Sequence, residues 1–177
     1  VEVLFLGSEN RSDHDPPTRF RVLREALGPK AVNITYAHTL DALTPENLAK
    51  YDVLLIFANQ YTIDKKTQGK ALLDFARGGG GCVLLHCAAG CFRDSQFDEY
   101  VELLGAQFKT HGKGVFRAKI VNTEHPVMKD WGGFECWDET YEHKRHGKNR
   151  IILQTRNDEP WTWVKTYGKG RVFYTAS

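Results

Sequence analysis

A histidine follows directly on a short apolar segment in the stretch "GGGGCVLLHCAAGCF". Four glycines end the preceding element, residues 82–85 predict a buried strand, and His86 then stands where a helix is expected to begin. A helix N-terminus attracts anions and favours the neutral form of an imidazole. His86 is therefore a candidate general base, acid or electrophile. The alternative is that His86 only hydrogen-bonds the loop backbone.

The turn around His86 is related to a nucleophile elbow. A strict elbow needs small residues two positions before and two positions after the key residue, and here Leu84 is large whereas Ala88 is small. Cys87 is the competing nucleophile, but a thiolate needs a histidine base held by a carboxylate. No downstream histidine lies in the His-x-Glu pattern that class I glutamine amidotransferases use. A cysteine triad is therefore the weaker interpretation.

Further polar residues follow other predicted strands. His14 lies in the loop after the first strand, Asn59 follows the third strand, and His111 lies between lysines and glycines in "FKTHGKGVF". The alternatives are a solvated neighbour of a helix cap for His14 and an exposed turn for His111. We expect Asn59 and His14 to reach the site because ligands bind beyond the carboxyl ends of parallel strands.

The densest group of polar residues is the segment "NTEHPVMKDWGGFECWDETYEHKRH". It contains Asp138, Glu139 and Tyr141, of which Glu139 is the candidate catalytic carboxylate. His125 precedes a proline, which fixes an extended turn, so its role is ranked below that of Glu139. Residues 143–146 are interpreted as a solvated charged run.

The histidine and cysteine spacing does not predict a structural metal site. Cys82, Cys87 and Cys91 lack the close Cys-x2-Cys pair that is typical of structural zinc. No cofactor is predicted. A divalent metal assembled from His14, His86, His111 and a carboxylate stays open, because these residues come from separate loops.

The elements that must position these residues alternate between strands and helices. Strands are predicted in "VEVLFLG", "AVNITYA", "YDVLLIFA" and "CVLL". Two helices are predicted to begin near Asp15-Pro16 and Thr44-Pro45, and a third helix is predicted over about residues 64–77. This alternation predicts an α/β fold with a mostly parallel sheet. The second half adds antiparallel strands, including a final hairpin that turns at Gly168 and Gly170.

The composition fits one soluble domain over residues 1–177, expected to be trimmed at both ends. Twenty-four basic and 22 acidic residues alternate along the chain, so nucleic acid is not expected as a partner. No apolar run approaches the roughly 20 residues of a membrane span, so a membrane is not expected either. Four cysteines are too few for a disulfide scaffold, and three of them lie within ten residues in or beside a predicted buried strand, which indicates free thiols. Homo-oligomers stay open, and no compartment is indicated.

The motifs together resemble the ThuA-like, or trehalose utilisation, family across the whole chain. They are "LGSENRSDHDPP", "YDVLLIFA", "GGGGCVLLHCAAG", "LLGAQFKTHGKG", "NTEHPVM", "FECWDETYEHK" and "PWTWVKTYGKGRVFYTAS". The resemblance implies a flavodoxin-like three-layer sandwich similar to class I glutamine amidotransferases, with the amidotransferase cysteine replaced.

The resemblance also implies which polar residues recur in the family. These correspond here to His14, His86, His111, His125, Asp138, Glu139 and Tyr141. The implied role is carbohydrate processing on disaccharides or their 3-keto derivatives, without glutamine amidotransferase activity.

Three hypotheses follow from these observations. The leading one is a hydrolase or lyase acting on a small glycoside or 3-keto-sugar, in which His86 and Glu139 transfer protons and the remaining polar residues bind the carbohydrate. The second is a sugar-binding accessory domain without turnover, with Trp137, Trp161 and Trp163 available for stacking, although core packing is the favoured role of Trp161 and Trp163. The third is an amidotransferase-like hydrolase that depends on the Cys87 thiol.

Overall fold

The computed structural model describes residues 1–10 and 14–177. The described strands are β1 (Glu2–Leu6), β2 (Asn33–Ala37), β3 (Val53–Ile56), β4 (Gly81–Leu85), β5 (Gln107–Arg117), β6 (Lys119–Ile120), β7 (Glu135–Lys144), β8 (Ile151–Arg156), β9 (Glu159–Tyr167) and β10 (Gly170–Thr175). The α-helices are α1 (Pro16–Leu27), α2 (Pro45–Leu48), α3 (Lys70–Gly78) and α4 (Asp98–Leu104).

Eight of the described strands form one sheet in the order β2-β1-β3-β4-β10-β9-β8-β6. The pairs from β2 to β10 are parallel, whereas the pairs from β10 to β6 are antiparallel. Strands β5 and β7 form a separate antiparallel pair. The prediction of a parallel sheet with antiparallel strands added by the second half is confirmed.

Helices cover the parallel part of the sheet on both faces. Successive residues of a strand point to opposite faces, and in β1 Phe5 packs with Phe20 and Leu23 of α1. Leu4 and Leu6 belong instead to the larger core that includes residues of α3 and α4. The result is the three-layer α/β sandwich that the sequence predicts.

The predicted helix starts are confirmed by their caps. The Asp15 side chain accepts a hydrogen bond from the Thr18 amide, and the Thr44 side chain accepts one from the Asn47 amide. Such caps satisfy amides that have no partner inside the helix. The helix expected over residues 64–77 begins instead with a π-helical turn, Lys65–Gly69, capped by Asp64.

The aromatic residues of the last hairpin lie in the core. Trp161 and Trp163 are fully buried, and the Trp163 indole donates a hydrogen bond to the Leu104 carbonyl at 2.8 Å. Core packing is confirmed for both, so neither is available for stacking on a sugar. Gly168, with a φ of 58°, forms the predicted turn of the hairpin. None of the described helices is both long enough and apolar enough to cross a bilayer.

Candidate functional site

His86 lies at a strained turn at the centre of the sheet edge. It follows β4 directly, has a φ of 46° and begins a 3-10 helix, His86–Gly90. A non-glycine residue in the left-handed region costs on the order of 1–3 kcal/mol and is concentrated at functional sites. The strain falls on His86 and not on Cys87, so His86 is the key residue of this elbow-like turn.

The imidazole of His86 is held by a carbonyl from the end of the last strand. Its Nδ1 lies 2.7 Å from the Ala176 carbonyl oxygen, which can only accept a hydrogen bond. Nδ1 therefore carries a proton, and in the neutral ring Nε2 keeps a lone pair. Burial lowers the pKa of His86, against the opposing effects of the Ala176 carbonyl and the Asp138 carboxylate. The predicted lowering of the His86 pKa is therefore correct in direction, but its main cause is burial and not a helix N-terminus.

The paired strands β5 and β7 bring the acidic residues to His86. The His86 Nε2 lies 3.3 Å from Glu139 Oε2, and the His111 Nε2 lies 3.6 Å from Glu139 Oε1. The ring of Tyr141 stacks on His86 with a centroid separation of 4.3 Å. Burial raises the pKa of the Tyr141 hydroxyl well above its ordinary value, so this hydroxyl keeps its proton.

His14 reaches the same place from the loop after β1. Its ring centroid lies 5.6 Å from that of His86, and its Nδ1 lies 2.9 Å from Glu9 Oε1. Glu9 pairs with Asn59 in an isolated parallel bridge, so the loops after β1 and β3 meet as predicted.

His14, His86 and Glu139 line an open cavity of about 440 Å³. Its lining comprises His14, Arg19, Val22, Leu23, Phe57, Leu85, His86, Lys113, Trp137, Asp138, Glu139 and Ser177. This volume lies within the range of about 300–1,000 Å³ that is usual for small-molecule sites. The carboxylates of Asp138 and Glu139 face the cavity, as do the cationic side chains of Arg19 and Lys113. Trp137, which also lines it, is 66% exposed.

Four of the six sequence-predicted binding residues do not line this cavity, namely Asn59, His111, His125 and Tyr141. His125 caps the 3-10 helix Pro126–Met128, where its Nδ1 accepts a hydrogen bond from the Val127 amide. The Asn59 side chain accepts a hydrogen bond from Arg93 at 3.2 Å. The Asn59 backbone nevertheless lies at the sheet edge where the sequence predicts it. His111 and Tyr141 lie directly beside the cavity through their contacts with Glu139 and His86.

Cys87 is poorly placed to act as a nucleophile. Its side chain is buried, and this burial raises the pKa of the thiol well above its ordinary value. A reactive cysteine needs access and a lowered pKa. The four cysteines are free thiols, as predicted.

The interpretation of residues 143–146 as a solvated run is wrong for His143, which is 4% exposed. His143 lies in β7, where its backbone amide and its Nδ1 contact the Glu159 carboxylate at 3.1 and 2.9 Å. Its Nε2 lies 3.0 Å from the Tyr174 hydroxyl, which is 3.2 Å from the His86 carbonyl oxygen. A buried chain of polar groups thus ends on the backbone of His86.

Within the described residues, two groups of side chains have the spacing of metal ligands. One comprises His14, His86 and Glu139, and the other comprises Glu9, His14 and Cys87. The donor atoms within each group lie within 4.8 Å of one another. Both groups are centred on the loop after β1 and on the turn at His86.

Two charged residues of the cavity do not appear among the sequence-predicted site residues. Lys113 lies opposite Glu139 in the β5 and β7 pair. Lys113 is also two residues after His111, and residues two apart in a strand point to the same face, so the sequence could have indicated that Lys113 joins the site. Arg19 lies in the first turns of α1, and its position facing the cavity depends on how that helix packs.

Comparison with known proteins shows one family and one recurrent fold. The family model described as ThuA, trehalose utilisation, matches residues 2–177. Among curated proteins, no match is found.

Solved structures with this fold include two ThuA-like proteins and part of a glycosidase. A ThuA-like protein from Bacteroides uniformis is 16% identical, with a TM-score of 0.81 over 99% of this chain and 80% of that chain. One from Parabacteroides merdae is 17% identical, with a TM-score of 0.81 over 99% and 78%. The β-galactosidase from Rahnella sp. R3 is 18% identical, with a TM-score of 0.72 over 99% of this chain but 28% of that chain.

Proposed function

Because this chain belongs to the ThuA, or trehalose utilisation, family, we propose that it is an enzyme acting on a small glycoside or a 3-keto-sugar by acid–base chemistry. Family membership supports a carbohydrate-related role in general. The observation that carries the finer proposal is the contact between His86 and Glu139, 3.3 Å apart in a cavity of about 440 Å³.

The two groups divide the work of moving a proton. Removal of a proton next to a keto group needs a base and a donor that stabilises the oxygen of the developing enolate. His86 offers the lone pair of Nε2, and the Glu139 side chain is 24% exposed. Either group can give a proton to the substrate or accept one from it.

The rest of the cavity suits a polar ligand with an apolar ring face. Arg19, Lys113 and Asp138 offer charged groups to hydroxyls. Trp137 offers an exposed indole, and aromatic faces of this kind pack against apolar surfaces of a ligand. His14 and His111 complete the polar surroundings of Glu139.

Turnover of 3-keto-disaccharides and of the parent glycosides by Glu139→Gln tests this proposal. We expect a loss of about 100-fold in kcat, because acid–base groups contribute about 10²–10⁴-fold. Glu142→Gln is the matched control on the same strand, since Glu142 pairs with Lys109 at 3.1 Å and does not line the cavity. Equal turnover by both variants would refute the assignment.

A second candidate function is sugar binding without turnover, and the exposed Trp137 on the cavity wall favours it. Binding that is lost in Trp137→Ala, together with no conversion of any glycoside or keto-sugar by the parent protein, would establish this function instead.

A further inference from the structure

Each of three histidines near Glu139 has its Nδ1 directed at an acceptor. The Nδ1 atoms of His86, His14 and His111 lie 2.7, 2.9 and 3.1 Å from the Ala176 carbonyl, the Glu9 carboxylate and the Gly112 carbonyl. Carbonyl and carboxylate oxygens accept hydrogen bonds, so the proton of each neutral ring belongs on Nδ1. The Nε2 atoms are then left as lone-pair donors to a cation.

Two of these Nε2 atoms face the Glu139 carboxylate. The distances are 3.3 Å from His86 and 3.6 Å from His111, one to each carboxylate oxygen. A lone pair and a carboxylate repel each other in a partly buried site unless a positive species lies between them. That species is either a proton or a metal cation.

The spacing fits a metal cation. The donor atoms of His14, His86 and Glu139 lie within 4.8 Å of one another. With metal–ligand bonds of about 2.0–2.2 Å, neighbouring ligands of a tetrahedral zinc ion stand about 3.3 Å apart. The separation of His86 Nε2 and Glu139 Oε2 is 3.3 Å. Metal-binding histidines also direct their other nitrogen at a carbonyl or carboxylate, as both do here.

The geometry points to a site for one divalent cation, held by His14, His86 and Glu139 and open to the cavity in a fourth position. Two imidazoles and one carboxylate are a ligand set that catalytic zinc sites use, and they leave a fourth position for a water or substrate oxygen. The other group, Glu9, His14 and Cys87, is less suited, because Glu9 already bonds the Nδ1 of His14 and Cys87 does not line the cavity.

This inference rests on the proposed function in one respect, namely that the sugar reacts in the cavity lined by His14, His86 and Glu139. If the cation is bound, His86, His14 and Glu139 would hold it, and the ion would supply activation of a water or substrate oxygen in place of direct proton transfer by His86 and Glu139. The reaction class and substrate class stay the same.

Zn²⁺ binding to the full chain tests the site without any substrate. Protein freed of metal with EDTA is titrated with Zn²⁺ by calorimetry, and elemental analysis after equilibrium dialysis gives the stoichiometry. We expect one Zn²⁺ per chain. We also expect His14→Gln, His86→Asn and Glu139→Gln each to weaken binding at least about 100-fold, because removal of an outer partner alone costs about 10–100-fold. His86→Asn is chosen because asparagine tolerates a positive φ.

His125→Gln and Glu142→Gln are the controls for binding by other histidines and carboxylates, and both should bind Zn²⁺ as the parent does. Substoichiometric binding, or unchanged affinity in Glu139→Gln and His86→Asn, overturns the inference. So does loss of binding in Cys87→Ala, which would place the ion in the other group. If a variant does not fold, Co²⁺ absorption of the parent protein decides, since a thiolate ligand adds an intense near-ultraviolet band that the proposed ligands lack.

The two proposals fail separately. Stoichiometric Zn²⁺ binding with no conversion of any sugar supports the cation site and refutes the proposed function. Full conversion of a sugar by metal-free protein, with no stoichiometric Zn²⁺ binding in the titration, supports the function and refutes the cation site.

Discussion

Gly170→Ala should lower the free energy of unfolding by about 4 kcal/mol, near the upper end of single substitutions. A Cβ at this position would lie 2.2 Å from the Ala76 carbonyl oxygen and 2.5 Å from that of Gly80. Both atoms are backbone, at the end of α3 and just before β4, so neither can rotate away. Gly170 also begins β10, which lies between β4 and β9, and a shift there disturbs the centre of the sheet.

Gly28→Ala is the matched control for this effect. Gly28 has a φ of −52°, and a Cβ there meets nothing within 4 Å. The free energy of unfolding of Gly28→Ala should equal the parent's or exceed it by up to about 1 kcal/mol, because alanine restricts the unfolded chain. Urea unfolding followed by circular dichroism measures both. A Gly170→Ala protein within 1 kcal/mol of the parent would mean that the backbone there yields easily.

Acid should destabilise the protein through His143. Burial lowers the pKa of His143 to about 4, whereas the unfolded ring titrates near 6.5. Between these values the unfolded chain binds more protons than the folded chain, so stability is lost as the pH falls from 6.5 to 4. Above about 6.5 the contribution is complete, and below about 4 no more is lost. The total is about 3 kcal/mol.

The comparison of parent and His143→Gln over this pH range isolates the contribution. Glutamine does not titrate, so the difference in unfolding free energy between the two proteins should shift by about 3 kcal/mol in favour of the variant between pH 7.5 and 4. Groups that make no contact with His143 lose stability in acid equally in both proteins and cancel. Parallel curves for the two proteins would contradict the pKa assigned to His143.

Local sequence signals predicted the parallel part of the fold well. The caps at Asp15 and Thr44 are set by residues within three positions of them, so they can be read from the sequence. The place of His86 follows from a strand that ends at Leu85 in a parallel sheet. These features depend on neighbours in the chain.

The features that the sequence did not reveal depend on distant partners. His143 is buried because Glu159 and Tyr174, on two other strands, satisfy its ring nitrogens. Its neighbours Lys144 and Arg145 are exposed, which made the segment resemble a solvated run. In the same way, His125 lies outside the cavity because the course of the loop before β7, not its composition, decides where the side chain lies.

The hydrogen bond between His86 and Ala176 joins residues 90 positions apart. Strand β10 lies in the sheet between β4, which comes much earlier in the chain, and β9, which directly precedes it. Pairings of such long range close large loops and form slowly compared with local helices. The imidazole is consequently oriented only once the C-terminal strand is in place. Correct orientation of this ring is thus a marker that β10 has joined the sheet, and a chain arrested before that step cannot present it.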